Sequence, residues 1–259
     1  MLQYVGIDIG STATKVALLD KDGSIGKLSL RPTGFSSAET ASAIKGDLAA
    51  SGIDPASDGV KVVATGYGRV AVPYADRTVT EITCHGTGAA FLFGEKGTVI
   101  DVGGQDTKVI VLSHGKVIRF LMNDKCAAGT GRFLEVMADR LGVTQQELSN
   151  LARTGKPTKI TSMCTVFAES EVISLVGKGE RRENIANGVI DSVVSRISSL
   201  ARQGGGTPYF LTGGLCDNAY IVEELERHLG STVTTEPRAR YAGAIGAALQ
   251  AKRLFPSMG

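Results

Sequence analysis

Apolar positions along the chain follow the two-residue period of strands in some segments and the longer period of helices in others. Near the N-terminus, and again near residue 100, three strand-like runs follow one another with short turns between them, which predicts two β-hairpin meanders. The remaining apolar runs predict helices and single strands. Helices are expected over residues 37–52, 85–94, 130–141, 165–176, 184–203, 218–230 and 241–255, and single strands over 60–66 and 207–214.

The two meanders begin with a repeated sequence. Residues 7–16 read IDIGSTATKV and residues 100–109 read IDVGGQDTKV, so that six of ten positions are identical. Two halves built alike are the simplest explanation. Because strands and helices are mixed in both halves, the chain is predicted to be an α/β protein with two domains facing a cleft.

Each copy of the repeat carries residues suited to a polyphosphate and a metal ion. A carboxylate, Asp8 or Asp101, closes a strand, and Gly10 or Gly103 follows two residues later, where it lets the backbone approach a ligand. Small or polar residues complete the turns, namely Ser11, Thr12, Gly104 and Gln105. Backbone N–H groups in such turns bind anions, and the aspartates can hold Mg²⁺ through water. One copy alone could be a tight hairpin, but its occurrence twice favours a nucleotide site.

Other polar residues near the two turns allow more than one role. Lys15 could reach a phosphate or could equally be a solvated lysine at a strand end, and Lys108 occupies the matching position. Gln105 and Asp106 could orient an attacking water, with Asp101 near the metal ion. Since no unambiguous general base stands out, hydrolysis of a bound polyphosphate is expected to be slow. The histidines at 85, 114 and 228 lack metal-ligand spacing and are interpreted as structural or surface residues.

Charge and composition exclude several classes of function. The 259 residues include 28 basic and 26 acidic ones, a balance that argues against binding nucleic acid or a membrane surface through bulk charge. No apolar run reaches the roughly 20 residues of a membrane span. The N-terminal residues are strand-like and show no signal-peptide pattern, so a cytoplasmic protein with reduced thiols is expected.

Three segments resemble the nucleotide motifs of a known superfamily. IDIGSTATKVALLD, VIDVGGQDTKVIVL and FLTGGLCDN are similar to the phosphate-1, phosphate-2 and adenosine motifs of actin, sugar kinases and the heat-shock chaperone ATPases. The resemblance implies two ribonuclease-H-like domains, the actin-like ATPase fold, with ATP in the cleft. It places Gly213 and Gly214 against the adenosine. We expect one domain over residues 1–96 and 240–259, with the phosphate-1 motif and the final helix, and the other over 97–239.

The four cysteines never form a close pair, so the usual closely spaced run of cluster ligands is missing. Free cysteines are commonly buried core residues, which is our interpretation of Cys84, expected to open a helix, and of Cys216. Cys126 and Cys164 each precede a predicted helix, whose positive end would favour a negatively charged group. Spacing leaves open a cluster held by all four cysteines in one chain.

The two segments that begin at these last cysteines resemble a more specific family. CAAGTGRFLE and CTVFAESEVISL look like the two signatures of the activators of 2-hydroxyacyl-CoA dehydratases. These are ATP-dependent iron-sulfur reductases related to the ATPase subunits of benzoyl-CoA reductase. In that family each subunit supplies two cysteines, and a homodimer holds one 4Fe-4S cluster on its twofold axis. The resemblance implies that Cys126 and Cys164 are the cluster ligands.

The function that this resemblance implies is a homodimeric, ATP-driven one-electron donor. A ferredoxin or flavodoxin would reduce it, and an iron-sulfur enzyme, first of all a 2-hydroxyacyl-CoA dehydratase, would accept the electron. A double-cubane-cluster reductase or a benzoyl-CoA reductase-like enzyme is the alternative acceptor. A small-molecule kinase of the same fold, such as a short pantothenate kinase, is the alternative from a different class, although no CoA-site or sugar-site signature is visible.

Overall fold

The computed structural model describes residues 2–20, 22–161 and 164–256. By its internal contacts the chain divides into two compact units. Unit 1 comprises Met1–Lys96, Val111–Ile118 and Arg238–Gly259, and unit 2 comprises Gly97–Ile110 and Arg119–Pro237. Within the described residues, none of the helices has both the length and the apolar character that a membrane span requires.

The sheet of unit 1 has five strands in the order β3-β2-β1-β4-β5. The strands are β1 (Gln3–Ile9), β2 (Ala13–Leu19), β3 (Ile25–Pro32), β4 (Val60–Thr65) and β5 (Arg77–Thr78). The first three form the antiparallel meander that the sequence predicts. Since β4 runs parallel to β1, and β5 parallel to β4, the sheet is mixed.

Helices cover both faces of this sheet, so its central strand β1 is almost fully buried. Val5, Ile7 and Ile9 share one apolar cluster with residues of α1 (Ser37–Ala50). On the other face, Tyr4 belongs to a cluster with residues of α8 (Ala242–Leu254). Successive side chains of a strand point to opposite faces, which explains this division of β1 between two clusters.

Helix α2 (Glu81–Phe93) begins earlier than the predicted residue 85. The side chain of Thr80 caps it by accepting a hydrogen bond from the N–H group of Thr83, which satisfies one of the orphan donors of the first turn. The prediction that Cys84 opens this helix is therefore wrong. Cys84 lies inside the first turn and is fully buried.

The second sheet, most of which lies in unit 2, has the order β10-β9-β6-β7-β8. Its strands are β6 (Gly97–Val102), β7 (Thr107–Ser113), β8 (Lys116–Asn123), β9 (Tyr209–Gly213) and β10 (Val233–Thr234). As in unit 1, the central strand β6 has a parallel neighbour, here β9. The helices of unit 2 are α3 (Gly131–Arg140), α4 (Gln145–Thr154), α5 (Thr165–Gly177), α6 (Arg182–Gly204) and α7 (Ala219–Leu229).

Amphipathic packing orders the helices of unit 2. The apolar face predicted for α3 is buried, as the sequence pattern requires. The long helix α6 packs against the second sheet, where an added Cβ atom at Gly204 would lie 2.3 Å from the side chain of Val109. Helix α4, which the sequence analysis did not predict, begins with a capping box formed by Thr144 and Glu147.

Small residues allow α2 and α8 to pack closely in unit 1. An added Cβ atom at Gly246 of α8 would lie 1.7 Å from the carbonyl oxygen of Cys84, and one at Gly88 of α2 would lie 1.9 Å from that of Ala242. Backbone atoms cannot move aside as flexible side chains can, so even a methyl group is too large at either position.

We therefore expect Gly246→Ala to lower the free energy of unfolding by about 2–3 kcal/mol, the usual cost of overpacking. Gly46→Ala is the matched control, because Gly46 is an exposed residue of α1 with open space around its Cα atom. It should raise the stability by about 0.5–1 kcal/mol through helix propensity. Urea unfolding followed by circular dichroism measures both changes, and equal midpoints for the two variants would contradict this packing.

Candidate functional site

Two hairpin turns close in the same way at the ends of the central strands. In the first turn (residues 10–13) the N–H group of Gly10 donates to the carbonyl of Ala13 at 3.2 Å, and in the second turn (residues 103–106) that of Gly103 donates to the carbonyl of Asp106 at 2.9 Å. Residues at the tips of both turns, Ser11, Thr12 and Gln105, are exposed. A ligand in solvent can therefore reach the backbone groups of both turns.

A buried carboxylate precedes each turn and lies opposite a threonine. Asp8 pairs in register with Thr65 on the parallel strand β4, and Asp101 pairs with Thr212 on the parallel strand β9. Both aspartates are at most 3% exposed. The repeat therefore extends beyond the hairpins to the neighbouring strand in each sheet, a feature that the sequence analysis missed.

A glycine with positive φ follows each of these threonines. Gly66 has φ +90° and Gly213 has φ +86°. An added Cβ atom on either glycine would lie 2.3 Å from a carbonyl oxygen of the central strand, that of Ile9 or Val102. The Thr-Gly pair at the end of two apolar runs was the signal available in the sequence, because only glycine tolerates both this backbone conformation and this close approach.

Asp8 lies close to a lysine, a histidine and tightly packed backbone. Its Oδ2 atom lies 4.0 Å from Nζ of Lys15 and 3.9 Å from Nε2 of His85. Gly243, at the start of α8, packs so closely that an added Cβ atom would lie 2.6 Å from the same oxygen. A lysine and a helix N-terminus both stabilise a negative charge. Sequence reasoning gave His85 no role at this carboxylate.

Asp101 lies in a buried network of charges. Its Oδ1 atom accepts a hydrogen bond from the hydroxyl of Thr212 at 2.8 Å, and its Oδ2 atom lies 3.7 Å from Nζ of Lys108. The same Nζ donates to Oδ1 of Asp106 at 2.7 Å. Two carboxylates and one ammonium leave one net negative charge, which suits a divalent cation. The residues of this site thus fit Mg²⁺ coordinated directly or through water.

The structure groups the predicted nucleotide residues by unit. Gly214 donates its N–H to the carbonyl of Val102 at 2.9 Å, which ties the turn after β9 to the end of β6. Unit 1 holds Asp8, Gly10, Ser11, Thr12 and Lys15, and unit 2 holds Asp101, Gly103, Gly104, Gln105, Asp106, Gly213 and Gly214. Each group lies around the turn that follows the central strand of its sheet, β1 or β6.

Cys126 and Cys164 are both exposed and both belong to unit 2. Cys126 lies in the cysteine loop (residues 124–130) between β8 and α3, where the side-chain amide of Asn123 donates to the carbonyls of Cys126 and Ala128, each at 2.9 Å. Cys164 is the N-cap residue of α5, and its thiol makes no capping hydrogen bond.

The remaining two cysteines are buried. Burial raises the pKa of the Cys84 thiol to about 12. The thiol of Cys216 donates to Oδ1 of Asp217 at 3.2 Å. Cys84 and Cys216 are packed inside their units, where their surroundings leave no space for a cluster, whereas the exposed thiols of Cys126 and Cys164 fit one.

Two sheets that each present a buried aspartate beside a glycine-containing turn define the class as an ATPase of the actin-like fold. The sequence model of the BadF/BadG/BcrA/BcrD ATPase family matches residues 5–251, and the chain belongs to this family.

Relatives of the chain include activators and a reductase component. It is 44% identical to the (R)-2-hydroxyglutaryl-CoA dehydratase activating ATPase of Acidaminococcus fermentans, over 95% of this chain and 96% of the relative. It is 39% identical to the 2-hydroxyisocaproyl-CoA dehydratase activator of Clostridioides difficile, over 95% and 94%. It is 33% identical to one of the subunits of benzoyl-CoA reductase from Thauera aromatica, over 94% and 91%. The expected membership in the activator and benzoyl-CoA reductase ATPase-subunit family is confirmed.

Solved structures agree with the fold. Component A of the A. fermentans dehydratase superposes with a TM-score of 0.91 at 41% identity, covering 98% of this chain and 99% of that one. The C. difficile activator with bound ADPNP gives 0.87 at 36% identity, with complete coverage of both chains. A ROK family glucokinase from Streptomyces griseus shares only the fold, with a TM-score of 0.58 at 16% identity over 97% and 99%. The predicted α/β class with ribonuclease-H-like units is confirmed.

The burial of the cysteines predicts how a thiol reagent titrates the native protein. In protein prepared without a metal cluster, Ellman's reagent at pH 8 should react rapidly with two thiols per chain, those of Cys126 and Cys164. Cys84 should react slowly even at pH 9, because burial blocks access of the reagent and the raised pKa of its thiol leaves little thiolate. Unfolding in guanidinium should release all four thiols. Rapid labelling of Cys84 in the native chain, identified by peptide mass spectrometry, would contradict this assignment.

Proposed function

We propose that this ATPase is a homodimeric, ATP-driven one-electron donor that activates an iron-sulfur enzyme, first of all a 2-hydroxyacyl-CoA dehydratase. The observation that carries the proposal is the contrast among the four cysteines. Two are exposed in unit 2, one in the cysteine loop before α3 and one at the N-cap of α5, and two are buried. An ATPase needs no exposed cysteines for hydrolysis, so the exposed pair indicates a second chemistry.

The nucleotide part of the proposal rests on the repeated site. Asp8 and Asp101 would hold Mg²⁺, and the backbone N–H groups of the two turns would bind phosphate oxygens. Lys15 is the better candidate for reaching a phosphate, since it is partly exposed, whereas Lys108 is buried between two carboxylates. Gln105 is exposed beside the second turn and would orient the attacking water.

The cluster part of the proposal rests on the number of ligands. A 4Fe-4S cluster takes four thiolates, and Cys126 and Cys164 supply two per chain, so a symmetric dimer completes the set. When bound, such a cluster supplies one-electron transfer at a potential set by hydrogen bonds and solvent exposure. Helices α3 and α5, which follow the two cysteines, contact each other through the ion pair between Arg140 and Glu169.

An apolar face on α5 supports the dimer. Val166, Phe167, Ile173 and Val176 are each more than half exposed. The face begins two residues after Cys164, the proposed ligand of a cluster that needs thiolates from another chain. Exposed apolar side chains grouped on one helix are typical of an interaction surface. We propose that a second copy of this chain covers it.

Relatives guide the choice of partner enzyme. Two of them are named for the dehydratases that they activate, so a 2-hydroxyacyl-CoA dehydratase is the proposed acceptor, and a ferredoxin or flavodoxin is the proposed donor. The relative from benzoyl-CoA reductase keeps a reductase of that kind, or a double-cubane-cluster reductase, as the alternative acceptor. Binding of ATP would favour the state that transfers the electron, so that electron transfer depends on ATP.

Anaerobic purification and electron-transfer measurements test the proposal. The protein should be brown, and electrons should reach the purified acceptor with ATP but not with ADP or a non-hydrolysable analogue alone. Colourless protein that transfers phosphate to a small molecule would instead support the kinase alternative. Equal electron transfer with and without nucleotide would overturn the ATP coupling.

Removal of either buried aspartate should abolish ATP turnover. We expect Asp8→Ala and Asp101→Ala to lower the rate of hydrolysis by about 100-fold or more, because each removes a group that positions the metal ion. The dimer and its iron content should remain. Asp47→Asn is a matched control, since Asp47 pairs with Arg31 at the surface of unit 1. Full activity of Asp101→Ala in a phosphate-release assay would refute its assignment.

The iron content of single-cysteine variants should distinguish the cluster ligands from the buried cysteines. After anaerobic reconstitution, Cys126→Ser and Cys164→Ser should lose most of the iron per dimer, because each removes two of the four thiolates. Cys84→Ala and Cys216→Ala should keep most of it. Equal loss in the Cys84 variant would indicate a cluster held within one chain and would argue against the shared site.

A further inference from the structure

The second turn is hydrogen-bonded directly to the start of α3, just after the cysteine loop. The N–H group of Gly131 donates to the carbonyl of Gly103 at 2.9 Å, and that of Arg132 donates to the carbonyl of Gly104 at 2.8 Å. The proposed phosphate-binding turn and the helix that follows Cys126 are therefore in contact through backbone groups alone.

Two side chains extend this connection into the cysteine loop. The hydroxyl of Thr107, the first residue of β7, donates to the carbonyl of Gly129 at 2.6 Å in a buried position. Asn123, the last residue of β8, donates its amide to the carbonyls of Cys126 and Ala128. Strands β7 and β8 thus both hold the loop that carries Cys126.

The corresponding positions in unit 1 make different hydrogen bonds. The carbonyl of Gly10, which matches Gly103, accepts from the hydroxyl of Thr33 at 2.7 Å. Thr14, which matches Thr107, pairs with the same hydroxyl at 2.8 Å. These bonds end next to β3. In unit 2 the hydrogen bonds at the matching positions go instead to α3 and to the loop that carries Cys126. The connection to a cysteine is therefore specific to the second copy of the repeat.

Peptide geometry makes this connection suited to transmit a movement. A trans peptide unit is planar, and its C=O and N–H groups point in opposite directions. The carbonyl of Gly103 therefore shares a rigid plane with the N–H of Gly104, and the carbonyl of Gly104 shares one with the N–H of Gln105. A phosphate that binds either N–H group and rotates the plane must shift the carbonyl that holds α3.

Packing around the loop favours movement as one piece. An added Cβ atom at Gly131 would lie 3.1 Å from the carbonyl oxygen of Gly103, and one at Gly129 would lie 3.1 Å from the side chain of Arg196. The loop and the turn therefore have little room to move independently. A cavity of about 570 Å³, lined by Thr107, Cys126 and Arg196 among others, leaves space for them to move together.

We infer that Thr107 is a positioning residue that couples nucleotide at the second turn to the exposure and orientation of Cys126, with Asn123 holding the other side of the loop. The inference rests on the proposed function, because it takes the second turn as a phosphate site and Cys126 as a cluster ligand. It names the residues through which one site acts on the other.

The test uses the protein without its cluster, so that the measurement reports the accessibility of Cys126 in its loop and does not depend on electron transfer. The alkylation rate of Cys126 by iodoacetamide is measured by peptide mass spectrometry without nucleotide, with ADP and with a non-hydrolysable ATP analogue, at saturating concentrations. In the wild type we expect the rate to differ by about fivefold or more between nucleotide states, the lower end of typical allosteric coupling. In Thr107→Val the difference should fall below about twofold.

Three further variants make the test specific. Thr107→Ser keeps the donating hydroxyl and should restore the nucleotide effect. Thr14→Val removes the matching hydroxyl in unit 1 and should leave the effect on Cys126 as in the wild type. Asn123→Asp replaces the donating amide by an acceptor and should also weaken the effect, which keeps the inference testable if Thr107→Val does not fold. The alkylation rate of Cys164 serves as the internal reference.

The possible outcomes separate this inference from the proposed function. Calorimetry first establishes whether the analogue binds. If it binds, but Thr107→Val and Asn123→Asp keep the full nucleotide effect, or the wild type shows none, the inference is overturned while the nucleotide and cluster assignments stand. If the analogue does not bind to the wild type, the proposed function is overturned and the inference with it.

Discussion

The burial of a carboxylate at the end of each central strand is the constraint on which both units depend. A buried charge is costly unless nearby groups compensate it. Unit 1 supplies Lys15, His85 and the start of α8 around Asp8, and unit 2 supplies Thr212 and Lys108 around Asp101. These groups come from different strands and helices, so the carboxylates bring distant parts of each unit together.

Much of the candidate site was visible in the sequence because its residues are close together in the chain. The hairpins around Asp8 and Asp101 repeat within ten residues, and the repeat alone predicts their shared role. The roles of Thr65 and His85 depend instead on strand register and on the packing of α2, which only the folded chain defines. A pattern of neighbouring residues cannot contain that information.

The predicted elements show the same division between local and non-local causes. Helix α3 was predicted well because its buried face has a strong helical period. Helix α4 was missed although Thr144 and Glu147 have the spacing of a capping box. The two-residue strands β5 and β10 have no sequence pattern of their own, since each exists only through pairing with a parallel neighbour.

The connection between the third and fourth strands differs in kind between the two halves. In unit 1, β3 leads through α1 to β4, whereas β8 leads through α3, α4, α5 and α6 to β9. Cys126 and Cys164 both lie in this longer connection. An insertion at this single connection can therefore change the surface of one half, while the strands that present Asp8 and Asp101 stay as they are. The two halves of such a chain are free to diverge in their connections without disturbing the carboxylates that they share.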